Sequence, residues 1–395
     1  MEKLRVGIVG LKRGATHVRN FSLLEDVQLV GGCDWHEQYR KRAAEKIEPA
    51  GGKVFSEFDE LLELQPDAVV LACNGRQQAA TAIKALEAGC HVLSEVPGAF
   101  YEEELIHLRD AVERTGMTYM LGENSCFLNY FRYWRKWVVE DRMGPISLAE
   151  GEYLHYLPAM LCTSDNTCYT PSQAKELGLT DLTPSWRADQ PPIQYLTHDL
   201  GPLLEVLDDR VVSVSCRSGP WRGKETSLRS DGQYALFETA KGALIRILVT
   251  LNTRRPAEHR YRLFGTEGAC EYFSYEGYCR FFGREHEEAD GWQKVNIGPA
   301  EKGSDTSAGH GGTDMQTARH FTKAVLNGDP APIDVYRAIE FCLPGIIANR
   351  SAELGGAPLP IPQMRREPYS GTRFWDVVGL PDVEPHSEPH PTALE

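Results

Sequence analysis

The chain has 395 residues, a length that exceeds a single hydrophobic core and predicts two domains. Its hydrophobic share of 42% and charged share of 25% are those of an ordinary globular protein. The net charge of −14 argues against nucleic acids and anionic membranes as partners. Ten cysteines without a CxxC pair indicate free thiols, and the chain enters a predicted strand directly. We therefore expect a cytoplasmic protein without a signal peptide or membrane span.

Residues 4–34 predict a dinucleotide-binding unit. Leu4–Val9 has the apolar character of a buried parallel strand, and a glycine-rich turn follows it. Ala15–Leu24 has helical periodicity, and Val27–Cys33 predicts a second strand. Asp34 follows that strand at the spacing at which an acidic side chain reaches the ribose hydroxyls. NAD is the predicted cofactor, because Asp34 would repel the 2′-phosphate of NADP.

The glycine turn departs from the usual fingerprint at one position. Gly10 takes the place of the first glycine and Ala15 that of the third, so Lys12 stands where the second glycine is usual. That glycine lets the backbone approach the pyrophosphate. Lys12 either places its ammonium near the phosphates or points to solvent, and the sequence leaves both alternatives open.

Strands and helices continue to alternate as far as residue 122. Further buried strands are predicted at Asp67–Cys73, Cys90–Ser94 and Thr118–Gly122, with helical segments between them. This alternation predicts an α/β fold, a Rossmann domain with a doubly wound parallel sheet over residues 1–122.

The pattern changes after residue 122. Strand-like segments then follow one another with turns between them, at Ile146–Tyr156, Val211–Arg217, Tyr234–Thr239, Ala243–Leu251, Arg260–Gly265 and Ala269–Tyr275. They predict an α+β domain with an open, mainly antiparallel sheet over residues 123–354, which we expect to bind substrate and to form homo-oligomers. Residues 157–192 are predicted to be a long polar loop, and residues 355–395 a proline-rich tail.

The chain resembles the Gfo/Idh/MocA family of NAD(P)-dependent oxidoreductases over nearly its whole length. Val6–Gly14 with His17, the segment Ala85–Pro97, and Gly144-Pro-Ile carry the resemblance. It implies a Rossmann domain paired with an open antiparallel sheet, and hydride transfer at a carbon of a sugar or cyclitol.

Two departures from that family bear on the chemistry. Where most of its dehydrogenases have Glu-Lys-Pro, this chain has Glu95-Val96-Pro97, so the lysine thought to handle the hydroxyl proton is missing. The family's Thr-Pro and downstream histidine are replaced by Cys73-Asn74 and Gln78. The resemblance therefore does not imply a standard dehydrogenase site.

The departures match a particular subgroup. Glu-Val-Pro, together with Tyr195-Leu-Thr-His198 and Gly309-His310-Gly-Gly312, resembles the NAD-dependent glycoside hydrolases of the alpha-N-acetylgalactosaminidase type. The resemblance places Tyr195 and His198 at the sugar. The catalytic candidates are Tyr195, His198, Glu123, Tyr153 and His310. The candidates for cofactor contacts are Gly10, Leu11, Lys12, Arg13, Gly14, Asp34, Cys73, Asn74, Gln78, Glu95, Val96, Pro97 and Asn124.

Several candidates also have a purely structural explanation. Tyr195 and His198 are three residues apart, so on a helical turn they face one side and serve either proton transfer or packing. Tyr153 and His155 share one face of a strand, which is either the site or a polar sheet surface.

Glu123 and His310 leave similar alternatives. Glu123 ends the last Rossmann strand, at the edge where open sheets place ligands. Its carboxylate therefore either belongs to the site or forms a structural salt bridge with Arg132 or Arg135. His310 lies among glycines, where backbone can approach a ligand, or it is simply a turn residue. Carboxylates and imidazoles of this kind are typical metal ligands, but nothing shows metal-ligand spacing, so we predict no metal.

The sequence predicts an NAD-dependent carbohydrate enzyme that cleaves a glycosidic bond by transient oxidation. Hydride leaves a ring carbon, C3, the C2 proton becomes acidic, the aglycone is eliminated, water adds and the hydride returns. One alternative is an NAD-dependent sugar or cyclitol dehydrogenase with His198 or Tyr195 in place of the lysine. The other is a non-catalytic regulator that senses a sugar or NAD.

Overall fold

The fold was obtained as a computed structural model, which describes residues 3–158, 160–164, 167–188, 190–224, 228–286, 291–298, 309–365 and 373–389. The chain divides into two compact units. The first unit takes its residues from Met1–Phe127, Gly303–Cys342 and Met364–Val378, and the second from Leu128–Lys302, Leu343–Gln363 and Gly379–Glu395. Of the predicted proline-rich tail, residues 366–372 and 390–395 lie outside the described residues.

The first unit contains the predicted parallel sheet. Its strands are β1 Leu4–Val9, β2 Val27–Cys33, β3 Lys53–Phe55, β4 Ala68–Leu71, β5 His91–Ser94 and β6 Tyr119–Leu121. All of the pairings are parallel, in the spatial order β3-β2-β1-β4-β5-β6. This order reverses direction beside β1 and is that of a Rossmann fold, so the predicted α/β class is confirmed.

Helices cover the parallel sheet and also pack within the second unit. In chain order they are α1 Ala15–Ser22, α2 Glu37–Ile47, α3 Phe58–Leu62, α4 Gln78–Glu87, α5 Glu102–Thr115, α6 Asn129–Val139, α7 Pro171–Glu176, α8 Thr197–Leu207, α9 Thr313–Asn327, α10 Val335–Glu353 and α11 Phe374–Val378. Helix α9 belongs to the first unit although it lies late in the chain. It packs on α1, where the rings of Phe21 and Phe321 are 6.4 Å apart, and so returns to the Rossmann sheet.

The second unit is built on a mainly antiparallel sheet, as predicted. Its strands are β7 Ile146–Leu154, β8 Leu161–Cys162, β9 Cys168–Tyr169, β10 Thr183–Pro184, β11 Val211–Ser218, β12 Gly232–Thr239, β13 Leu244–Thr250, β14 Glu258–Gly265, β15 Ala269–Phe273, β16 Cys279–Phe282, β17 Gln293–Val295, β18 Leu359–Pro360 and β19 Ser387–Pro389. In the described residues the large sheet has ten strands, in the order β18-β11-β12-β13-β7-β14-β15-β16-β17-β19.

Strand β7 lies in the interior of this sheet although it is the first of its strands in the chain. It pairs in parallel with β13 on one side and antiparallel with β14 on the other. The two faces of β7 differ. Glu150 and Glu152 form ion pairs with Arg246 on one face, whereas Gly151 and Tyr153 face helix α8 and its surroundings on the other.

The segment 157–192, predicted to be a long polar loop, contains regular secondary structure. It contains the short strands β8, β9 and β10 and helix α7, and Cys162 and Cys168 form a disulfide bond within it. The expectation of free thiols alone was therefore wrong at this pair, while the other eight cysteines are free. Strands of two residues leave no period in the sequence. Helix α7, in contrast, has a capping box between Thr170 and Gln173 that is visible in the sequence.

Candidate functional site

The glycine turn and Asp34 meet as the dinucleotide fingerprint requires. Gly10 has a φ of +84°, and a Cβ at this position would overlap the carbonyl group of Ala72. The backbone N–H of Leu11 donates a hydrogen bond of 2.7 Å to Asp34 Oδ2, and that of His36 donates one of 2.8 Å to Oδ1. An acidic side chain is thereby fixed beside the turn. These residues fit the adenosine ribose of NAD, with the pyrophosphate at the N-terminus of α1, which Gly14 precedes.

Lys12 lies on the α2 side of the turn. Its side chain is exposed, and Nζ is 5.8 Å from the centre of the Tyr39 ring. The ammonium group therefore rests against an aromatic face at the edge of the first unit.

The candidates at the ends of β4 and β5 form a connected set. Gln78 is buried, and its amide donates hydrogen bonds of 2.8 Å to the carbonyl of Leu71 and 3.0 Å to that of Glu95. The thiol of Cys73 donates to Gln78 Oε1 at 2.9 Å. Gln78 therefore joins the two strand ends, and this role accounts for a glutamine where the family has a histidine. Asn74 accepts a 3.1 Å hydrogen bond from the N–H of Arg76, and the Val96–Pro97 peptide is cis.

Arg13 lies in an ionic cluster within the first unit. Its guanidinium is 2.8 Å from Glu95 Oε1 and 3.1 Å from Asp314 Oδ2. His17 Nε2 is 2.6 Å from the same Glu95 oxygen. Burial alone would lower the pKa of Arg13, but the two carboxylates outweigh burial and raise it. Burial alone would raise the pKa of Glu95, but the hydrogen bond to His17 and the charge of Arg13 lower it. The cluster thus consists of fixed charges at the end of β5.

Asp314 connects this cluster to two further candidates. Asn124 Nδ2 donates to Asp314 Oδ1 at 2.6 Å, and His310 Nδ1 is 3.1 Å from each carboxylate oxygen. The hydrogen bond to Asp314 raises the pKa of His310. Burial would raise the pKa of Asp314, but the hydrogen bond to His310 and the charge of Arg13 hold it well below its usual range. An imidazolium is therefore favoured at His310, whose side chain is 58% exposed.

The backbone of His310 is unusual for a residue other than glycine. Its φ is +45°, and it lies in a short 3-10 segment that precedes α9. This left-handed conformation costs energy for a side chain with a Cβ, so the surrounding turn must hold it. It places the imidazole one helical turn before Asp314, at the start of the helix.

Glu123 is fully buried at the end of β6. Its Oε1 accepts a hydrogen bond of 3.1 Å from the N–H of Ser125. The predicted alternative partners lie in the second unit. There, Arg132 donates to the carbonyl of Gly379 and Arg135 to that of Val206.

The second unit brings the remaining candidates together on one sheet face. Tyr153 on β7 is paired in register with His259 on β14, and their rings are 4.9 Å apart. The His155 ring stacks on Tyr153 at 3.9 Å, because residues two apart on a strand share a face. This face therefore carries two imidazoles and a phenol.

Helix α8 and the short turn before it add the predicted pair. The His198 ring lies parallel to that of Tyr153 at 5.5 Å, and the Tyr195 ring is 5.1 Å from Tyr153 and 5.5 Å from His198. Arg187 Nη2 donates to Tyr195 Oη at 2.8 Å. Tyr195, His198 and Tyr153 thus form one aromatic cluster with His155 and His259, within the second unit.

Sequence reasoning missed three members of these groups. His259 lies just before the predicted strand Arg260–Gly265 and Arg187 lies in the predicted loop, and no pattern distinguishes either residue. Asp314 could have been found, since it follows His310 by four residues, the spacing at which side chains meet on a helix.

The described ranges contain no group of three or more His, Cys, Asp or Glu side chains that could hold a metal ion. Among the same residues, no helix is both long enough and apolar enough to span a membrane.

Two family profiles match the chain. Residues 4–123 match the oxidoreductase family with an NAD-binding Rossmann fold, Gfo/Idh/MocA, and residues 228–370 match the C-terminal domain of glycosyl hydrolase 109. A glycosyl hydrolase family 109 protein of Porphyromonas gingivalis is 28% identical over 93% of this chain and 85% of its own length. An alpha-N-acetylgalactosaminidase of Shewanella oneidensis is 26% identical over 96% of this chain and 89% of its own.

Solved structures show the same fold. A levoglucosan dehydrogenase in complex with NADH and L-sorbose superposes with a TM-score of 0.76, at 19% identity, over 92% of this chain and all of that one. An oxidoreductase domain protein from Kribbella flavida gives a TM-score of 0.75 at 18% identity, with the same coverage.

Proposed function

The chain belongs to the Gfo/Idh/MocA oxidoreductases and carries a glycosyl hydrolase 109 C-terminal domain, and from this premise we propose that it is an NAD-dependent redox glycosidase. The observation that carries the proposal is the cluster of Tyr153, Tyr195 and His198, with ring centres 5.1–5.5 Å apart. Phenols and imidazoles supply proton donors and acceptors. Val96 stands where a dehydrogenase of the family has its lysine, so the acid-base groups must come from elsewhere.

Held by the glycine turn and Asp34, bound NAD would supply the hydride acceptor for a ring carbon, C3, and the hydride donor that restores this carbon at the end of the cycle. The protein residues have other tasks. Asp34 and the glycine turn hold the adenosine end, while the charges of Arg13, Glu95 and Asp314 keep the end of β5 in place. Tyr195 and His198 exchange protons with the sugar, and Tyr153 holds their rings. Glu123 and His310 remain catalytic candidates from the first unit. The proposed cofactor domain is residues 1–122 and the proposed substrate domain is residues 123–354, of which Glu123 and the segment Gly303–Cys342 group with the first compact unit.

The chemistry predicts an isotopic result. During elimination the C2 proton passes through a base, so in deuterated water the product gains deuterium at C2, and NADH does not accumulate. Turnover of 4-nitrophenyl glycosides, with alpha-N-acetylgalactosaminide as the first because a relative bears that name, followed by mass spectrometry of the sugar tests this. NADH that accumulates in proportion to sugar consumed, without deuterium at C2, would favour the dehydrogenase. Sugar binding without either change would favour the regulator.

The assembly and location of the chain are also part of the proposal. The face of the large sheet opposite helix α8 carries both ion pairs and exposed apolar side chains. Arg262 pairs with Glu150 at 2.6 Å, and Tyr234 and Leu236 are exposed. Such a face supports a homo-oligomer, which light scattering would detect as a multiple of 44.2 kDa. We place the chain in the cytoplasm. This placement is tested by alkylating the thiols during lysis and counting the alkylated cysteines. In a reducing compartment Cys162 and Cys168 are thiols and become alkylated, whereas in an oxidising compartment their disulfide bond protects them.

A further inference from the structure

His259 has a defined place on the site face of the second unit. It is paired in register with Tyr153, and two residues further along β14 Tyr261 is paired with Gly151. His259 and Tyr261 therefore lie on the same face as Tyr153 and His155. Helix α8 packs on this face of the sheet. His198 and Asp199 therefore contact the strand residues from the helix that covers them.

The hydrogen bonds around Tyr261 fix the proton of His259. Tyr261 Oη donates to the carbonyl of His198 at 2.9 Å, and it is 3.2 Å from His259 Nδ1. A phenol has a single hydrogen, which the carbonyl takes, so Nδ1 must be the donor in the second contact. The neutral ring then carries its lone pair on Nε2.

Asp199 strengthens this arrangement. Its Oδ1 is 3.6 Å from His259 Nδ1, and the Asp199 side chain has no exposure, while that of His259 is 28% exposed. A buried carboxylate behind Nδ1 holds the tautomer and stabilises the imidazolium that forms when Nε2 takes a proton. The imidazole thus has a buried carboxylate beside Nδ1, and its side chain is only partly exposed.

We propose that His259 is a further catalytic residue, the base that removes the C2 proton of the sugar, and that Asp199 and Tyr261 are its positioning residues. This assignment rests on the proposed function. With C3 present as a ketone, the C2–H bond breaks and its proton goes to His259 Nε2. The electron pair of that bond forms the C1–C2 double bond. The bond between C1 and the glycosidic oxygen breaks, and the aglycone leaves with its electron pair. The aglycone takes a proton from solvent. Water then adds by the reverse of this sequence: its oxygen bonds to C1, it releases one proton to solvent, and His259, whose Nε2 proton has exchanged with solvent, protonates C2.

The neighbours of His259 determine the expected pH dependence. The groups that face it are Asp199 and His198 from α8, Tyr153 and His155 from β7, and Tyr261 on its own strand. A base must be unprotonated to act, and the anionic Asp199 favours its protonated form. Loss of that charge therefore moves the acid limb of the rate profile to lower pH, whereas a merely structural defect lowers the rate without moving the limb.

The test compares C2 exchange in deuterated water for the full chain with bound NAD and 4-nitrophenyl glycosides as probes. We expect His259→Gln to slow exchange and release of nitrophenol by about a hundredfold or more, with the Kd for NAD unchanged. Asp199→Asn should move the acid limb to lower pH. Tyr261→Phe, the second variant in case Asp199→Asn does not fold, should lower kcat. His386→Gln, an exposed histidine of the same unit, is the matched control and should leave the rates unchanged.

Failure of the two proposals can be told apart. Exchange in the wild type together with equal exchange in His259→Gln overturns the role of His259 and leaves the glycosidase intact. Absence of exchange in the wild type overturns the glycosidase and, with it, the step assigned here. Nitrogen-15 NMR of labelled histidines gives an answer independent of turnover: a neutral His259 with its proton on Nε2 overturns the orientation by Asp199 and Tyr261.

Discussion

Gly151 and Asp199 are in contact where helix α8 crosses the large sheet. A Cβ on Gly151 would lie 2.8 Å from Cβ of Asp199 and 2.9 Å from Cδ1 of Ile247. The absence of a side chain on β7 therefore lets the helix approach closely enough for Asp199 to lie beside His259.

Replacement of Gly151 by alanine should displace α8. Because Asp199 Cβ is held by the helix backbone, it cannot move away alone, and we expect a destabilisation of about 1–3 kcal/mol, as for other overpacked sites. Thermal unfolding measures it, with Ser147→Ala, an exposed change on the same strand, as control. An unchanged melting temperature together with unchanged turnover would show that the helix position is not set by this glycine.

Asp34 should determine cofactor choice. The wild type is expected to bind NAD more tightly than NADP, because its carboxylate would face a 2′-phosphate. Asp34→Asn removes the charge and keeps an acceptor for the N–H of Leu11 or His36, so the preference should fall by about tenfold, or 1.4 kcal/mol. Calorimetric titration with both cofactors measures this, and Asp26→Asn, an exposed aspartate of the same unit, is the control. A wild type that prefers NADP would contradict the assignment of Asp34.

Val96→Lys should not convert the chain into an efficient dehydrogenase. A new ammonium at this position loses hydration and needs a partner, and the Glu95 carboxylate before it is already in contact with Arg13 and His17. The oxidation of a panel of free sugars, followed by NADH absorbance, should rise no more than about twofold. Val96→Met provides a control of similar length without charge. A several-fold gain restricted to the lysine variant would mean that valine merely replaces a lost lysine.

Tyr195→Phe and His198→Ala should each reduce turnover by about a hundredfold and leave the Kd for NAD unchanged. Both residues lie in the second unit, whereas the glycine turn and Asp34 belong to the first. Single-turnover kinetics and cofactor titration separate the two quantities. Tyr234→Phe, on the opposite face of the sheet, is the control. If NAD affinity falls as much as turnover, Tyr195 and His198 belong to the cofactor site instead. If activity is unchanged, the two residues serve only in packing.

The contact between Asp314 and His310 should appear in a pH titration as a raised pKa of His310. The raised pKa of His310 means that its contribution to stability is complete below about pH 6.5, the unperturbed value, and is lost as the pH rises through the folded pKa. Asp314→Asn removes the cause, so the folded pKa should fall towards 6.5 or below. Proton NMR of the imidazole measures the shift, with Asp329→Asn as an exposed control in the same unit. A histidine that titrates identically in both proteins would show that the contact is absent in solution.

The Rossmann half was predictable because its strands are continuous apolar segments that stand between helices. Val69, Val70 and Leu71 are fully buried, and burial on both faces is what such a segment indicates. Short strands are different. Lys53–Phe55 and Leu161–Cys162 are only three and two residues long, too short for a local period to mark them.

The site was predictable only where residues stand in a motif. Tyr195 and His198 are three apart, and Tyr153 and His155 two apart, so their shared faces follow from local geometry. His259 depends on the register between β14 and β7, which the sequence does not contain. The predicted strand began at Arg260, one residue too late to include it, whereas β14 begins at Glu258.

The interior position of β7 has a consequence for synthesis and folding. Tyr153 pairs with Val249 on one side and His259 on the other, each about a hundred residues further along the chain. Contacts of such long range close slowly, because a long loop must be ordered first. A nascent chain that has already completed all six parallel strands cannot form the Tyr153–His259 face until β14 has left the ribosome. The parallel sheet of the first unit can thus pair while the groups assigned to sugar chemistry are still dispersed along the unfolded chain, and helix α9, which packs on α1, completes that unit only later.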